Sequence, residues 1–180
     1  MYRLTIVLMA FALPAAAADF RAVDIGESCN NVDAWEMARS STRNLTHADP
    51  PLDVYSYNVE EFGRRVTVRY LCHSGKFISG HYDFSTETWT QAVATYSDIY
   101  KSLRSTYGAP STDDHPTGDI DNKARSSNHW TTHIAAWEKS TSSMVLIIAP
   151  KQPAKPEQDE WHVVIDVHGH ATRLDDLTIG

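Results

Sequence analysis

The chain has 180 residues, of which 42% are hydrophobic and 10% aromatic, and its formal net charge is −7. This composition can supply a hydrophobic core and argues against general disorder. An acidic balance also argues against a broad nucleic-acid surface, which needs clustered Lys and Arg, so no nucleic-acid partner is expected.

The N-terminus has the charge order of a secretory signal peptide. Arg3 precedes an uncharged apolar run from Leu4 to Ala18 that ends in four alanines. A membrane span needs about 20 apolar residues, and this run is shorter and contains Pro14. We therefore expect cleavage near Ala18 and a periplasmic or secreted protein without stable membrane insertion.

The chain contains two cysteines, Cys29 and Cys72. In an oxidising compartment such a pair predicts a disulfide, and neither residue belongs to a CxxC motif. Closing a loop of this length would stabilise the fold by about 4 kcal/mol in the chain-entropy model. A catalytic or metal-binding pair is the alternative.

A short helix is predicted near Cys29 to Arg39, because Cys29, Val32, Trp35 and Ala38 recur at intervals of three. One face of this helix should therefore be apolar.

Three strands are predicted to follow this helix. The first covers Leu52–Tyr57 and precedes a turn at Glu60–Gly63. Residues 65–72 and 77–84 alternate between apolar and polar side chains, with Ser74-Gly75 as the turn between them. Together these segments predict a three-stranded meander.

The clearest element is a helix after Phe84. Apolar residues recur at steps of three and four across residues 89–107. Ser85 is predicted as the N-cap, and Phe84 with Trp89 would form a hydrophobic staple around it. Gly108 is predicted to end the helix.

Three more strands are predicted at Trp130–Trp137, Ser143–Ala149 and Trp161–His168. The order predicts an α+β fold of two α-βββ units, in which helices cover one face of an antiparallel sheet. The sequence leaves open whether the mature chain is a single domain (19–180) or two fused halves (19–84 and 85–180).

Four segments of the chain resemble small, uncharacterised periplasmic proteins of Gram-negative bacteria: residues 24–29 (DIGESC), 70–72 (YLC), 80–82 (GHY) and 107–110 (YGAP). The order of helix and meander also looks like that of small periplasmic binding or inhibitor modules, such as the β-lactamase inhibitory protein and outer-membrane assembly lipoproteins. The resemblance implies an extracytoplasmic α+β protein and does not specify an activity.

Histidines of the last strand are candidate ligands for zinc or copper. His162 and His168 share one strand face, and His168 and His170 are alternate residues that a strand would place on one side. A solvated polar sheet face is the alternative interpretation. The only cofactor that the sequence suggests is therefore a metal held by His162, His168 and His170.

A basic strand face is the candidate site for a partner. Arg65 and Arg69 share a face of one predicted strand, and His81 should lie on the corresponding face of the next strand. Simple cross-strand charge pairing is the alternative to partner binding.

No residues form a GxSxG or SxxK nucleophile motif, and no glycine-rich phosphate loop occurs. We therefore expect a non-enzymatic periplasmic binding module for a periplasmic or envelope protein partner, such as an inhibitor or immunity-type protein. A small metal-dependent hydrolase that uses the C-terminal histidines and a structural cell-envelope protein are the alternatives. The oligomeric state is left open.

Overall fold

The computed structural model describes residues 20–21, 23–49, 51–114, 133–150 and 161–170. The predicted signal peptide therefore lies outside the described residues, as do the first three residues of the strand predicted from Trp130.

Two helices and eight strands make up the described chain. A 3₁₀ turn at Cys29–Asn31 leads directly into α1, and α2 is longer than α1 by 12 residues. The bounds are α1 (Val32–Ala38), β1 (Thr42–Asp49), β2 (Leu52–Glu61), β3 (Arg64–His73), β4 (Lys76–Thr86), α2 (Trp89–Tyr107), β5 (Thr112–Asp114), β6 (His133–Glu138), β7 (Ser142–Pro150) and β8 (Trp161–Gly169).

All eight strands belong to one antiparallel sheet with the order β1-β2-β3-β4-β8-β7-β6-β5. The predicted α+β class is confirmed. Four strands rather than three follow each helix. The two additional strands, β1 and β5, lie at the sheet edges and lack the apolar alternation that reveals a half-buried strand.

The start of α2 differs from the prediction. β4 continues through Ser85 to Thr86, which is paired with Trp161 of β8, so Ser85 belongs to the sheet. The N-cap is Thr88, whose hydroxyl accepts a hydrogen bond from the amide of Gln91 at 3.2 Å. The predicted Ser85 cap and its staple are therefore wrong, whereas the predicted end at Gly108 is confirmed, with a φ of 84°.

The hydrophobic core lies against the sheet face that bears Val68, Tyr82 and Ile165, which we call the core face. These residues are directly opposite one another on β3, β4 and β8, and all three are buried. α2 contacts β4, β7 and β8 through a buried stripe that includes Tyr96, Ile99 and Leu103.

The predicted disulfide between Cys29 and Cys72 is present. It joins the 3₁₀ turn that precedes α1 to β3, across a sequence separation of 43 residues. The amide of Cys29 also donates to the carbonyl of Gly75, so the turn is attached to the β3–β4 hairpin at two points.

Candidate functional site

The sheet face opposite the core face carries a continuous row of paired residues. Arg69 of β3 lies opposite His81 of β4, and His81 lies opposite Asp166 of β8. The row continues through Val145 and Ala136 on β7 and β6. Directly opposed residues of an antiparallel sheet project from the same face. We call this surface the Arg69 face.

Two histidine–carboxylate pairs lie at the centre of the Arg69 face. His81 Nδ1 is 2.6 Å from Asp166 Oδ1, and His162 Nδ1 donates to Asp83 Oδ1 on the neighbouring strand. Since an ionised carboxylate can only accept, the Nδ1 atom carries the proton in both rings. The face is therefore cross-linked between β4 and β8 by two charge-assisted contacts.

The Asp83 carboxyl is partly withdrawn from water, with 17% of its side chain exposed. Burial alone would raise its pKa. The hydrogen bond and the charge of His162, together with the charges of His81 and Arg69, outweigh burial and lower the pKa of Asp83 below its ordinary value. At neutral pH the central carboxylate is therefore ionised.

The structure brings two of the three predicted partner-binding residues together. Arg69 and His81 are opposed in register, as the sequence alternation predicts. Arg65 lies four residues away along β3, about 13 Å at 3.3 Å per residue, and is opposite Glu60. Arg65 therefore belongs to a separate region of the same face.

The three predicted metal ligands have different neighbours. His162 binds Asp83, His168 Nε2 is 2.9 Å from Ser143 Oγ, and His170 Nε2 is 3.4 Å from Glu138 Oε2. His162 and His168 are six residues apart on β8, about 20 Å, which is too far for one ion. Within the described ranges, no group of three His, Cys, Asp or Glu side chains could hold a metal ion. Zinc or copper binding stays an untested prediction.

The Arg69 face also has an aliphatic area, which is bordered by polar residues such as Ser143 and Asp114. Side chains of β6, β7 and β8 continue the cross-strand rows beyond Asp166 and Asp83, and all are half-buried. Their members are Ile134, Ala136, Val145, Ile147, Ala149 and Val164. The Arg69 face therefore combines a charged centre with an adjoining aliphatic area.

A buried ion-pair network lies on the core face, where the sequence did not predict one. Glu36 of α1 is 0% exposed, and Arg21, with 5% of its side chain exposed, donates from Nε to Glu36 at 2.9 Å. Arg21 also contacts Glu61, and the hydroxyls of Tyr70 and Ser41 both donate to Glu36. The Glu36 carboxylate is thus buried with three donors.

This network changes the pKa values of the groups within it. Burial, then the hydrogen bond to Glu36, raises the pKa of the Tyr70 hydroxyl far above its ordinary value. Burial opposes the charge of Arg21, but the nearby Tyr82 and Glu36 outweigh it and raise the pKa of the guanidinium. Arg21 therefore carries its charge at neutral pH.

One signal in the sequence could have indicated this network. Glu36 lies four residues after Val32 and seven after Cys29, which is the spacing of one helix face. A carboxylate at that position in an apolar stripe must find a partner when it is buried. The partner, Arg21, comes from the segment before the helix, which carries no periodic pattern.

A pocket of about 500 Å³ adjoins the network at the start of β1. Three arginines line it together with polar residues of the α1–β1 turn and the end of β2. We call it the turn pocket, and its lining residues are Arg21, Arg39, Ser40, Ser41, Thr42, Asn58, Val59, Glu60 and Arg65.

No protein-family model matches the chain, and no curated protein or solved structure has significant similarity to it. Among the described residues, no helix has the length and apolar character needed to cross a membrane.

Proposed function

We propose that this protein is a non-enzymatic binding module of the periplasm, or secreted, whose Arg69 face engages a protein partner, as an inhibitor or immunity-type protein does. The observation that carries the proposal is the composition of that face. A charged centre of Arg69, His81 and Asp166 continues in register into the aliphatic residues Val145 and Ala136.

The proposal includes the assignment of both helices to the core face. Tyr57 and Tyr70, whose hydroxyls donate to Asp33 and Glu36 of α1, lie in cross-strand rows with core-face residues. Trp137 lies in the same cross-strand row as Tyr70. The centre of its ring is 5.9 Å from the centre of the Tyr100 ring in α2. These contacts support a sheet that has helices on one side and a binding surface on the other.

The chemistry of the Arg69 face suits a partner that presents an acidic side chain beside apolar ones. Arg69 is exposed, and a guanidinium at an interface pairs well with a carboxylate. The aliphatic area supplies surface that gains free energy on losing water. Protein interfaces typically combine such an apolar area with charges that fix orientation.

The proposed location outside the cytoplasm is supported by the disulfide and by the predicted signal peptide. Disulfides persist in oxidising compartments and are rare in the cytosol. The Cys29–Cys72 bridge therefore fits an extracytoplasmic protein, and its partner would be a periplasmic, envelope or secreted protein.

The experiment compares capture of partners by three variants. Arg69→Glu reverses a charge on the Arg69 face, Ile147→Lys places a charge in its aliphatic area, and Arg64→Glu makes the same charge reversal on the other side of β3. Proteins captured from envelope extract by the wild type are identified and their affinities then measured with purified components.

We expect one partner to bind the wild type and Arg64→Glu with similar affinity and to bind the other two variants at least about tenfold more weakly, a loss of about 1.4 kcal/mol. Each variant must keep the wild-type melting temperature within a few degrees. Equal binding by all four proteins, or no reproducible partner, would contradict the proposal.

A further inference from the structure

We infer that the turn pocket is a binding site for a small oxyanion, a molecule bearing a carboxylate or phosphate group. The inference does not rest on the proposed function, because it arises from a different region and from different contacts. Arg65 is the one residue shared by the turn pocket and the predicted partner-binding set.

The pocket exists because β1 is shorter than the strand beside it. β1 begins at Thr42, which is paired with Asn58, and the last three residues of β2 pair only with β3 in the described part of the chain. The α1–β1 turn, residues 39–41, occupies the place where β1 would otherwise continue. A concave opening remains between this turn and the end of β2.

The arginines of the pocket are not equivalent. The Arg21 guanidinium is held by the carboxylates of Glu36 and Glu61 and forms part of the wall. Arg39 and Arg65 are exposed, and neither guanidinium makes an ion pair within the described ranges. Two arginines that pair with no carboxylate of the described residues therefore line one opening, and Glu60 is the one acidic residue among the described residues of that lining.

The ligand class follows from these donors. A guanidinium is planar and presents pairs of N–H groups that match the two oxygens of a carboxylate or phosphate. Hydroxyls of Ser40 and Thr42 and the side-chain amide of Asn58 add polar groups to the lining. A volume of about 500 Å³ is in the range of small-molecule sites and accommodates more than a bare ion.

The backbone of the turn fixes the position of this part of the pocket wall. Ser40 follows the last residues of α1 and has a φ of 59°. Its amide donates to the main-chain carbonyl of Met37, and the amide of Ser41 donates to that of Glu36. These two bonds are the Schellman pattern of a helix end, so the turn that carries the lining residues is anchored to α1.

The test uses inorganic phosphate and succinate as probes, titrated separately into the purified protein by calorimetry. The variants are Arg39→Gln and Arg65→Gln, singly and together. Arg64→Gln is the matched control, because Arg64 is also exposed, precedes Arg65 directly, and pairs with Asp98 outside the pocket. Comparing the two probes shows whether the site prefers phosphate or carboxylate.

We expect at least one probe to bind the wild type and Arg64→Gln equally. Each single pocket variant should weaken that binding about tenfold, and the double variant should abolish it. No binding of either probe at about 10 mM, or undiminished binding by the double variant, would overturn the inference.

Two further variants separate this site from the Arg69 face. Arg69→Gln lies outside the pocket and should leave the affinity for the probes within about twofold of the wild type. Arg39→Gln lies outside the Arg69 face and should leave capture of a protein partner unchanged. Loss of probe binding in Arg69→Gln would contradict the assignment of the anion to the turn pocket.

Discussion

Glu36 of α1 and Tyr70 of β3 are both completely buried, and the Tyr70 hydroxyl donates a hydrogen bond to the Glu36 carboxylate. Together with Arg21, this contact connects the N-terminal segment, the first helix and the sheet. A buried charge that is paired can be retained, but the same charge without its partner is costly because it has lost its water.

The first prediction concerns the ion pair. Glu36→Gln removes the negative charge and leaves the Arg21 side chain, 5% exposed, without its buried carboxylate partner, so that only the part-exposed Glu61 remains paired with it among the described residues. Breaking a buried pair in this way costs about 3–5 kcal/mol, so urea denaturation should show a large loss in the free energy of unfolding.

Two variants serve as controls for this prediction. Glu61→Gln removes the second carboxylate, which is 37% exposed, and should cost less than Glu36→Gln. The double variant Arg21→Met with Glu36→Leu removes both charges and should recover much of the lost stability. A Glu36→Gln protein as stable as the wild type would show that the ion pair contributes nothing to the free energy of unfolding.

The second prediction concerns Gly80 and Phe20. A Cβ atom on Gly80 would overlap the Phe20 ring, which is itself packed against Tyr70 and Tyr82. Gly80→Ala should therefore cost about 1–3 kcal/mol, as over-packing of a core does.

A double-mutant cycle checks the cause. Phe20→Ala creates a cavity and is destabilising alone, but it provides room for the new methyl group. Gly80→Ala should therefore lower the free energy of unfolding much less in the Phe20→Ala background than in the wild type. Urea denaturation of the four proteins of the cycle measures both differences. An equal cost in both backgrounds would contradict the packing of Phe20 over Gly80.

The close approach at Gly80 also shows what the sequence could and could not reveal. The alternation along β3 and β4 predicted which side chains share a face over residues 79–84, because a strand has a period of two residues. It was wrong at Phe77, which a register shift places opposite Cys72 in the core. The same pattern cannot show that Phe20, some 60 residues earlier, fills the space above a glycine. Contacts of this kind depend on tertiary packing, which leaves no local period.

The start of α2 and the edge strands were missed for related reasons. Ser85 and Thr88 are both good N-cap residues, and the choice between them depends on the pairing of β4 with β8. Among the described strands, β1 and β5 pair with one neighbour each and lie at the two ends of the sheet order. The disulfide was predictable because only one pair of cysteines exists.

The third prediction tests the N-cap. Thr88→Ala removes the hydroxyl that accepts from the amide of Gln91 and should lower the free energy of unfolding by about 1 kcal/mol. Ser85→Ala is the matched control, because Ser85 is an exposed residue of β4 and should change stability by less than about 0.5 kcal/mol. Thermal or urea unfolding of both variants measures the difference. A larger loss of stability for Ser85→Ala would indicate that Ser85, and not Thr88, is the N-cap.

The last prediction concerns the Asp83–His162 contact and its dependence on pH. Because the pKa of Asp83 is lower in the folded protein than its ordinary value of 3.8, folding favours the ionised carboxylate. Its contribution to stability is therefore present above about pH 4 and is lost as the pH falls through the folded-state pKa. Asp83→Asn should cost about 1–3 kcal/mol at pH 7, since a charge-assisted hydrogen bond is lost.

Unfolding free energies of the wild type and Asp83→Asn, measured from pH 7 to pH 2, should converge as the pH falls below 3.8. Asp166→Asn is the control on the adjacent row, where the carboxylate is 37% exposed and contacts His81. It should cost less than Asp83→Asn at pH 7, because water already screens that pair. A constant difference between wild type and Asp83→Asn across the whole pH range would mean that the Asp83 carboxyl has the same pKa in the folded and unfolded chains.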